Sequence, residues 1–207
     1  MFAYVDTRAF KPVRQKFEAF LRSTVAFAGR KGLVLRYEVV GIREMGLTVT
    51  DRDAPRGFRL AYSLVMEMPD EGIPEDAQPA SDIVYAGLKD AVWNTQFRVV
   101  DDLEDCFVVR LQDKNDSSVV HECQVSLIMR DVAGRVLYRY QDMYNGGYVF
   151  RPIDGTDGFE EKLDKVHQTL DDPFKTIRRA CKLRMNDSPQ KSVATIYAEV
   201  ISELAMK

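Results

Sequence analysis

One of the two histidines lies beside a cysteine in a pattern that can do chemistry. His121 and Cys123 are two positions apart in the apolar stretch 119–129, so a strand would place both side chains on one face. Such a pair can supply half of a metal site, or a nucleophile with its base. No second pair of histidine or cysteine residues stands nearby in the sequence to complete a metal site. We therefore interpret both residues as structural, with the histidine buried and hydrogen-bonded.

A run of carboxylates, Asp101-Asp102-Leu103-Glu104-Asp105, joins two predicted strands. Clustered carboxylates can bind a hard cation or raise one another's pKa for acid–base work. An acidic connection between strands is more often solvated, and we favour that interpretation. The sequence also has no glycine-rich phosphate loop, no Gly-x-Ser-x-Gly turn and no His-Glu-x-x-His helix. We accordingly predict no catalytic residues, no metal site and no cofactor.

A basic cluster lies near the C-terminus. In a helix its spacing of three, one and three residues places the charges on one face, where they can bind phosphates or an acidic protein surface. The candidate partner-binding residues are Lys175, Arg178, Arg179, Lys182 and Arg184. A solvated helix face, an acidic protein partner and nucleic acid all stay open as interpretations. The pI of about 5.5 and the lack of interleaved aromatic residues disfavour nucleic acid.

The net charge of −3 is unevenly distributed along the chain. Residues 1–60 contain 12 Lys and Arg against 6 Asp and Glu, residues 61–120 contain 4 against 13, and residues 121–207 contain 13 of each. Either the fold brings the basic and acidic segments together, or the molecule docks or self-associates through opposite charge. We predict a protein partner or self-association from this imbalance.

Cysteine usage and hydropathy indicate where in the cell the protein is located. Cys106, Cys123 and Cys181 are odd in number and contain no Cys-x-x-Cys pair, so we interpret them as reduced and structural. The sequence has no signal peptide at its N-terminus and no uncharged apolar run of about 18 residues. These features predict no membrane association and a location in the cytoplasm, or within a particle assembled there.

Hydrophobic periodicity divides the first 150 residues into helices and strands. Steps of three and four predict a helix from Pro12 to Ala28 and another that Ser81 would cap. Alternation predicts strands that include 58–68 and 118–129, and Asn145-Gly146-Gly147 predicts a tight turn. A helix followed by about three strands thus occurs twice, at 12–68 and at 81–129, without any residue-level repeat.

Three helices are predicted in the C-terminal quarter. An apolar stripe follows Thr156, a second helix begins at Asp172-Pro173, and a third begins at Ser188-Pro189. A capping residue followed by proline is a typical helix start.

These elements predict an α+β fold. A mainly antiparallel, meander-rich sheet with helices on one face spans 1–150, and a helical extension that packs on or beside it spans 151–207. We predict a non-enzymatic subunit or accessory factor of a larger macromolecular assembly, a phage or viral particle included, that acts through protein–protein contacts. The alternative is a small-ligand or nucleotide-binding domain that uses the concave face of the sheet. A third interpretation is an enzyme whose site forms only on folding.

Overall fold

The computed structural model describes residues 1–5, 7–41, 47–51, 57–67, 74, 76–93, 95–131, 135–142, 144–153 and 157–207. Within these ranges the chain forms five helices and a nine-stranded sheet. In chain order the elements are β1 (Phe2–Tyr4), α1 (Thr7–Arg30), β2 (Leu35–Val39), β3 (Val49–Asp51), β4 (Arg59–Met66), α2 (Gln78–Val92), β5 (Phe97–Leu103), β6 (Cys106–Gln112), β7 (Val120–Arg130), β8 (Val136–Gln141), β9 (Tyr148–Pro152), α3 (Phe159–Thr169), α4 (Pro173–Asp187) and α5 (Val193–Ala205).

The sheet is mainly antiparallel, which confirms the predicted fold class. Among the described strands, the pairing of β4 with β7 is the parallel one, and its register runs from Arg59 opposite Glu122 to Met66 opposite Met129. The strands β2 and β3 flank β4 on its outer side, and β6 and β8 flank β7. A parallel pair needs a crossover connection, and here α2, β5 and β6 provide it. Simple alternation along each strand does not reveal such a crossover.

Hydrophobic cores cover both faces of this sheet. The first face packs against α1 and α2, and the core on this face, which we call the first core, includes Phe17, Leu21, Leu64 and Leu88. The second face packs against α3, α4 and α5 around residues such as Ile196. The helices of the predicted extension therefore cover the face that α1 and α2 leave open. A division of the chain into two units at residue 150 stays a prediction.

Helix starts follow their capping residues. Asp172 accepts a hydrogen bond from the Lys175 amide at 3.0 Å, and this confirms the predicted start of α4. The helix α5 begins at Val193 and not at Pro189, because Ser192 is the residue that caps it. The Ser192 hydroxyl accepts from the Thr195 amide at 3.1 Å.

Two further predictions for helix starts need correction. The helix α1 begins at Thr7, so Pro12 lies inside it. The helix α2 begins at Gln78, and the Ser81 hydroxyl accepts a hydrogen bond from Arg139 at 3.2 Å. The predicted turn around Asn145 is confirmed, since Gly146 and Gly147 have φ angles of 72° and 78°. In the part of the chain that the structure describes, no helix has the length and apolarity needed to cross a membrane.

Candidate functional site

A cleft of about 210 Å³ lies on the face of the sheet that α3 and α5 cover. Residues from β2, β4, β7 and β8 form its floor, and the first turn of α3 and one residue of α5 form its walls. Polar and aromatic side chains that line it include Glu38, Ser63, Arg130, Tyr138, Phe159 and Glu160. We call this site the Arg130 cleft.

Arg130 is the last residue of β7 and links three elements at the cleft. Its Nη1 and Nη2 atoms donate to the two carboxylate oxygens of Glu38 on β2, at 3.3 and 2.8 Å. Its Nη2 atom also lies 3.7 Å from a carboxylate oxygen of Glu160 on α3. The Nε atom is buried and has no hydrogen-bond acceptor among the described residues. The Nε–H group is therefore a buried donor that an incoming anion can satisfy.

Glu38 is ionised because of its arginine partners. Burial alone would raise the pKa of Glu38, but hydrogen bonds from Arg130 and Arg36 outweigh burial and hold the pKa below its ordinary value. A lowered folded-state pKa means that this carboxylate stabilises the fold above its unfolded pKa. That stabilisation is lost as the pH falls through the lowered folded pKa.

We expect Glu38→Gln to flatten the acid side of the stability profile. The wild type should lose more stability than the variant between pH 5 and pH 3, by a few tenths of a kcal/mol, because Glu38 is 36% exposed and its ion pair is screened. Urea midpoints at pH 7, 5, 4 and 3 measure the difference. Glu161→Gln, at an exposed position of α3, is the matched control and should follow the wild type. If the urea midpoint of wild type and of Glu38→Gln changes equally with pH, the pKa of Glu38 is not lowered in the folded protein.

Aromatic side chains form the opposite wall of the cleft. The rings of Phe159 and Tyr197 meet edge to face with their centroids 5.8 Å apart. Burial raises the pKa of both Tyr138 and Tyr197, so their phenols are neutral. Neutral aromatic faces beside an arginine can pack a planar heterocycle.

Gly41 follows β2 at the edge of the cleft. Its φ angle of 121° lies in the region that favours glycine. A residue without a Cβ also lets a ligand approach the backbone closely. The segment that follows, 42–46, lies outside the described residues.

His121 and Cys123 lie away from the cleft and have structural surroundings. The His121 Nδ1 atom accepts a hydrogen bond from the Phe58 amide at 3.1 Å, and the two rings stack with centroids 5.0 Å apart. The His121 Nε2 atom lies 3.9 Å from a carboxylate oxygen of Asp113. Cys123 is fully buried, and burial raises the pKa of its thiol. These contacts support the prediction that both residues are structural.

The basic cluster lies on α4, but its members have different surroundings. Lys175 and Arg179 are exposed, whereas the Arg178 guanidinium stacks over the Tyr4 ring at 4.0 Å. Lys182 is half-buried. Arg184 forms an ion pair with Glu203 on α5. A partner-binding role for the cluster stays a prediction, and Arg178 and Arg184 already hold neighbouring elements.

The acidic run is only partly solvated. The side chains of Asp101 and Asp102 lie outside the described set, and Glu104 is exposed. Asp105 is 5% exposed, which corrects the interpretation of a solvated loop. Its Oδ2 atom accepts hydrogen bonds from the hydroxyls of Ser192 and Thr195. The hydroxyls that pair with this carboxylate come from the other end of the chain, so the local sequence does not reveal its burial.

The fold is similar to that of enzymes that make cyclic dinucleotides. The 3′-deoxy ATP-bound form of DncV from Vibrio cholerae aligns with a TM-score of 0.55 at 11% identity, over 98% of this chain and 68% of that chain. The same protein, described as a cyclic AMP-GMP synthase and bound to nonhydrolyzable GTP, aligns with a TM-score of 0.50 at 9% identity, over 88% of this chain and 61% of that chain. Its apo form aligns with a TM-score of 0.50 at 12% identity, over the same shares. No protein-family model and no curated protein matches the sequence.

These similarities overturn several predictions. The predicted non-enzymatic subunit of an assembly, or of a phage or viral particle, is wrong, since the similar structures are of DncV, a cyclic AMP-GMP synthase that binds nucleotides. The preference against an enzyme is wrong for the same reason. The predicted protein partner or self-association, with nucleic acid disfavoured, is also contradicted, because the bound partners of these proteins are nucleotides. The alternative of a nucleotide-binding domain agrees better with the comparisons.

Proposed function

We propose that this protein binds a nucleoside triphosphate in the Arg130 cleft and uses it in nucleotidyl transfer. In that reaction a hydroxyl attacks the α-phosphorus, a phosphodiester bond forms and pyrophosphate leaves. The observation that carries the proposal is the Arg130 guanidinium, with a buried Nε that has no acceptor, in a cleft of a fold shared with nucleotide-bound DncV. The chain spans 61 to 68% of the three DncV chains compared above, so the activity of the whole enzyme is part of the proposal.

Arg130 is suited to hold phosphate oxygens. A guanidinium presents a planar fork of donors that matches phosphate, and it stays charged at all physiological pH values. Its present partners, Glu38 and Glu160, are carboxylates that a phosphate can replace or share. The contact with Glu160 is the longer of the two, so it is the one that should open first.

The same carboxylates fit a magnesium ion that enters with the nucleotide. The described residues contain no group of three or more His, Cys, Asp or Glu side chains that could hold a metal by themselves. Magnesium in nucleotide sites needs only one or two protein carboxylates, because phosphates and water complete its coordination. Glu38 and Glu160 both contact the Nη2 atom of Arg130, so they lie near one another. When bound, the ion neutralises phosphate charge that these two carboxylates would otherwise repel.

The size of the cleft indicates that the ligand must displace part of its wall. At about 210 Å³ the cleft is smaller than the ~300–1,000 Å³ of most small-molecule sites. Phe159 and Glu160 begin α3, so a shift of its first turn would release the Arg130–Glu160 contact and widen the cleft. The Phe159 and Tyr197 rings would then be available to pack the nucleobase.

We expect Arg130→Gln to weaken the binding of ATP and GTP, titrated with magnesium in a calorimeter, by about 10- to 100-fold. The reason is the loss of charge-assisted hydrogen bonds to phosphate, which contribute about 1.5–3 kcal/mol. Arg36→Gln is the matched control, because Arg36 also pairs with Glu38 at 3.0 Å but does not line the cleft. Equal affinity of Arg130→Gln and wild type would exclude this cleft as the phosphate site. Release of pyrophosphate by the wild type, absent in Arg130→Gln, tests the transfer reaction separately.

We also propose a cytoplasmic location. Cys123 and Cys181 are buried, and neither forms a disulfide in the structure. Free thiols persist in reducing compartments, which supports this placement.

A further inference from the structure

A second cavity, of about 510 Å³, lies on the other flank of α5. Thr195 and Glu199, one helical turn apart on α5, line it, whereas Tyr197 lines the Arg130 cleft. The turn between β5 and β6, Tyr140 of β8 and Lys191 complete its wall. Its volume falls within the range of small-molecule sites. We call it the Glu199 cavity.

Several side chains around the cavity are hydrogen-bonded to one another. The hydroxyls of Ser192, which caps α5, and of Thr195 both donate to Asp105 Oδ2, the first at 2.5 Å. The Lys191 ammonium donates to Glu199 Oε1 at 2.5 Å. The hydroxyls of Ser192 and Thr195 are therefore engaged by Asp105, and the Lys191 ammonium is held by Glu199.

One acceptor of the wall is not used. The Glu199 Oε2 atom is buried and has no hydrogen-bond partner among the described residues. The Arg184 Nη1 atom lies 3.9 Å from it, which is too long for a hydrogen bond. A buried carboxylate oxygen without a donor costs free energy, and a ligand that donates a hydrogen bond would recover it.

The charge of the cavity is negative. Among the lining residues, Glu104, Asp105 and Glu199 contribute three carboxylates against the single ammonium of Lys191. Arg184, which does not line the cavity, adds one positive charge 3.9 Å from Glu199, so the carboxylates still exceed the cations by one. The pKa of Tyr140 is raised to about 12. Burial is the largest cause, and the charges of the three carboxylates raise the pKa further, whereas a hydrogen bond between Tyr140 and Thr195 acts in the opposite direction. A nucleotide phosphate would be repelled here, so this cavity differs in its chemistry from the Arg130 cleft.

We infer that the Glu199 cavity is a second binding site, which takes a linear organic amine of the diamine or polyamine class. An ammonium group would donate a hydrogen bond to the Glu199 Oε2 atom and would offset the excess negative charge of the wall. The methylene groups of such an amine would pack on Leu103 and on the ring of Tyr140, both of which line the cavity. A divalent metal fits less well, because Asp105 is engaged by two hydroxyls and Glu199 by Lys191.

Calorimetric titration of the full chain with putrescine and spermidine, at 150 mM salt and without nucleotide, tests the inference. We expect saturable binding by the wild type and at least a ten-fold loss of affinity in Glu199→Gln, which keeps the shape of the side chain and removes its charge. Lys191→Met should bind the amine several-fold more tightly, because the competing ammonium is gone. Glu203→Gln is the matched control, one turn further along α5, exposed and outside the cavity lining.

Three results would overturn the inference. These are no saturable binding by the wild type, an equal loss in Glu203→Gln and Glu199→Gln, or an unchanged or weaker affinity in Lys191→Met. Displacement of spermidine by an equal concentration of magnesium chloride would likewise indicate non-specific electrostatics. Thermal melts show whether each variant is folded. If Glu199→Gln is not folded, the amine affinity of Lys191→Met decides whether the cavity is the binding site. ATP binding is measured in the same variants to separate this site from the Arg130 cleft. Loss of amine binding with unchanged ATP binding, or the reverse, would show that the two sites are independent.

Discussion

Leu64→Ala is expected to lower the free energy of unfolding by about 2–5 kcal/mol. Leu64 is 0% exposed at the middle of β4, where it pairs with Tyr37 on one side and Leu127 on the other. Neighbours on both strands and the helices above leave little room for the core to collapse into the space, so a cavity would remain. Urea denaturation of wild type and variant measures the difference.

Leu183→Ala is the matched control for this loss. Leu183 lies on α4 and is 56% exposed, so its truncation should change the stability by no more than about 0.5 kcal/mol. A similarly small loss for Leu64→Ala would mean that the first core is loosely packed around β4.

The burial of Leu64 shows how far the sequence pattern reaches. Alternation over 58–68 predicted that Leu60, Tyr62, Leu64 and Met66 share one face, and all of them lie in the first core. The opposite face of the same strand carries Ala61 and Ser63, and these are 3% and 6% exposed. Small and polar residues on that face do not indicate burial. The helices that bury it come from residues more than ninety positions away.

The parallel pairing of β4 with β7 was indicated only indirectly. The sequence showed a helix followed by strands in two successive segments. In the structure α1 precedes β2 to β4, and α2 precedes β5 to β7. The last strands of these two segments, β4 and β7, are the ones that pair in parallel. A repeated order of elements places equivalent strands in the same direction, but without a residue-level repeat the pairing could not be predicted.

The Arg130 cleft could not be predicted from local motifs. Glu38, Arg130 and Glu160 come from β2, β7 and α3, and they lie far apart in the sequence. The charges of the basic cluster on α4, in contrast, are close in sequence and form a recognisable spacing. Sites formed by one residue from each of several elements leave no spacing to detect, which explains why the sequence favoured a non-enzymatic function.

Replacement of Arg139, a buried cation, is also expected to destabilise the protein strongly. Arg139 on β8 is 0% exposed, and its guanidinium carbon lies 3.9 Å from the ring centroid of Phe107 and 4.2 Å from that of Tyr148. Its Nη1 atom donates to the Ser81 hydroxyl at 3.2 Å, which ties β8 to α2. Desolvated contacts between a cation and an aromatic ring contribute about 2 kcal/mol or more each. We expect Arg139→Ala to cost about 3–5 kcal/mol, from lost packing together with these contacts.

Arg139→Met separates packing from charge. Methionine fills part of the space between the two rings but supplies no cation, so we expect a loss of about 2 kcal/mol, smaller than that of alanine. Arg139→Lys keeps the charge without the planar group that stacks between the rings, and it should also be destabilising. Arg98→Met, at an exposed position of β5, is the matched control and should leave the urea midpoint unchanged. If Arg139→Met proves as stable as the wild type, the cost of desolvating the guanidinium cancels the stabilisation from its contacts with both rings.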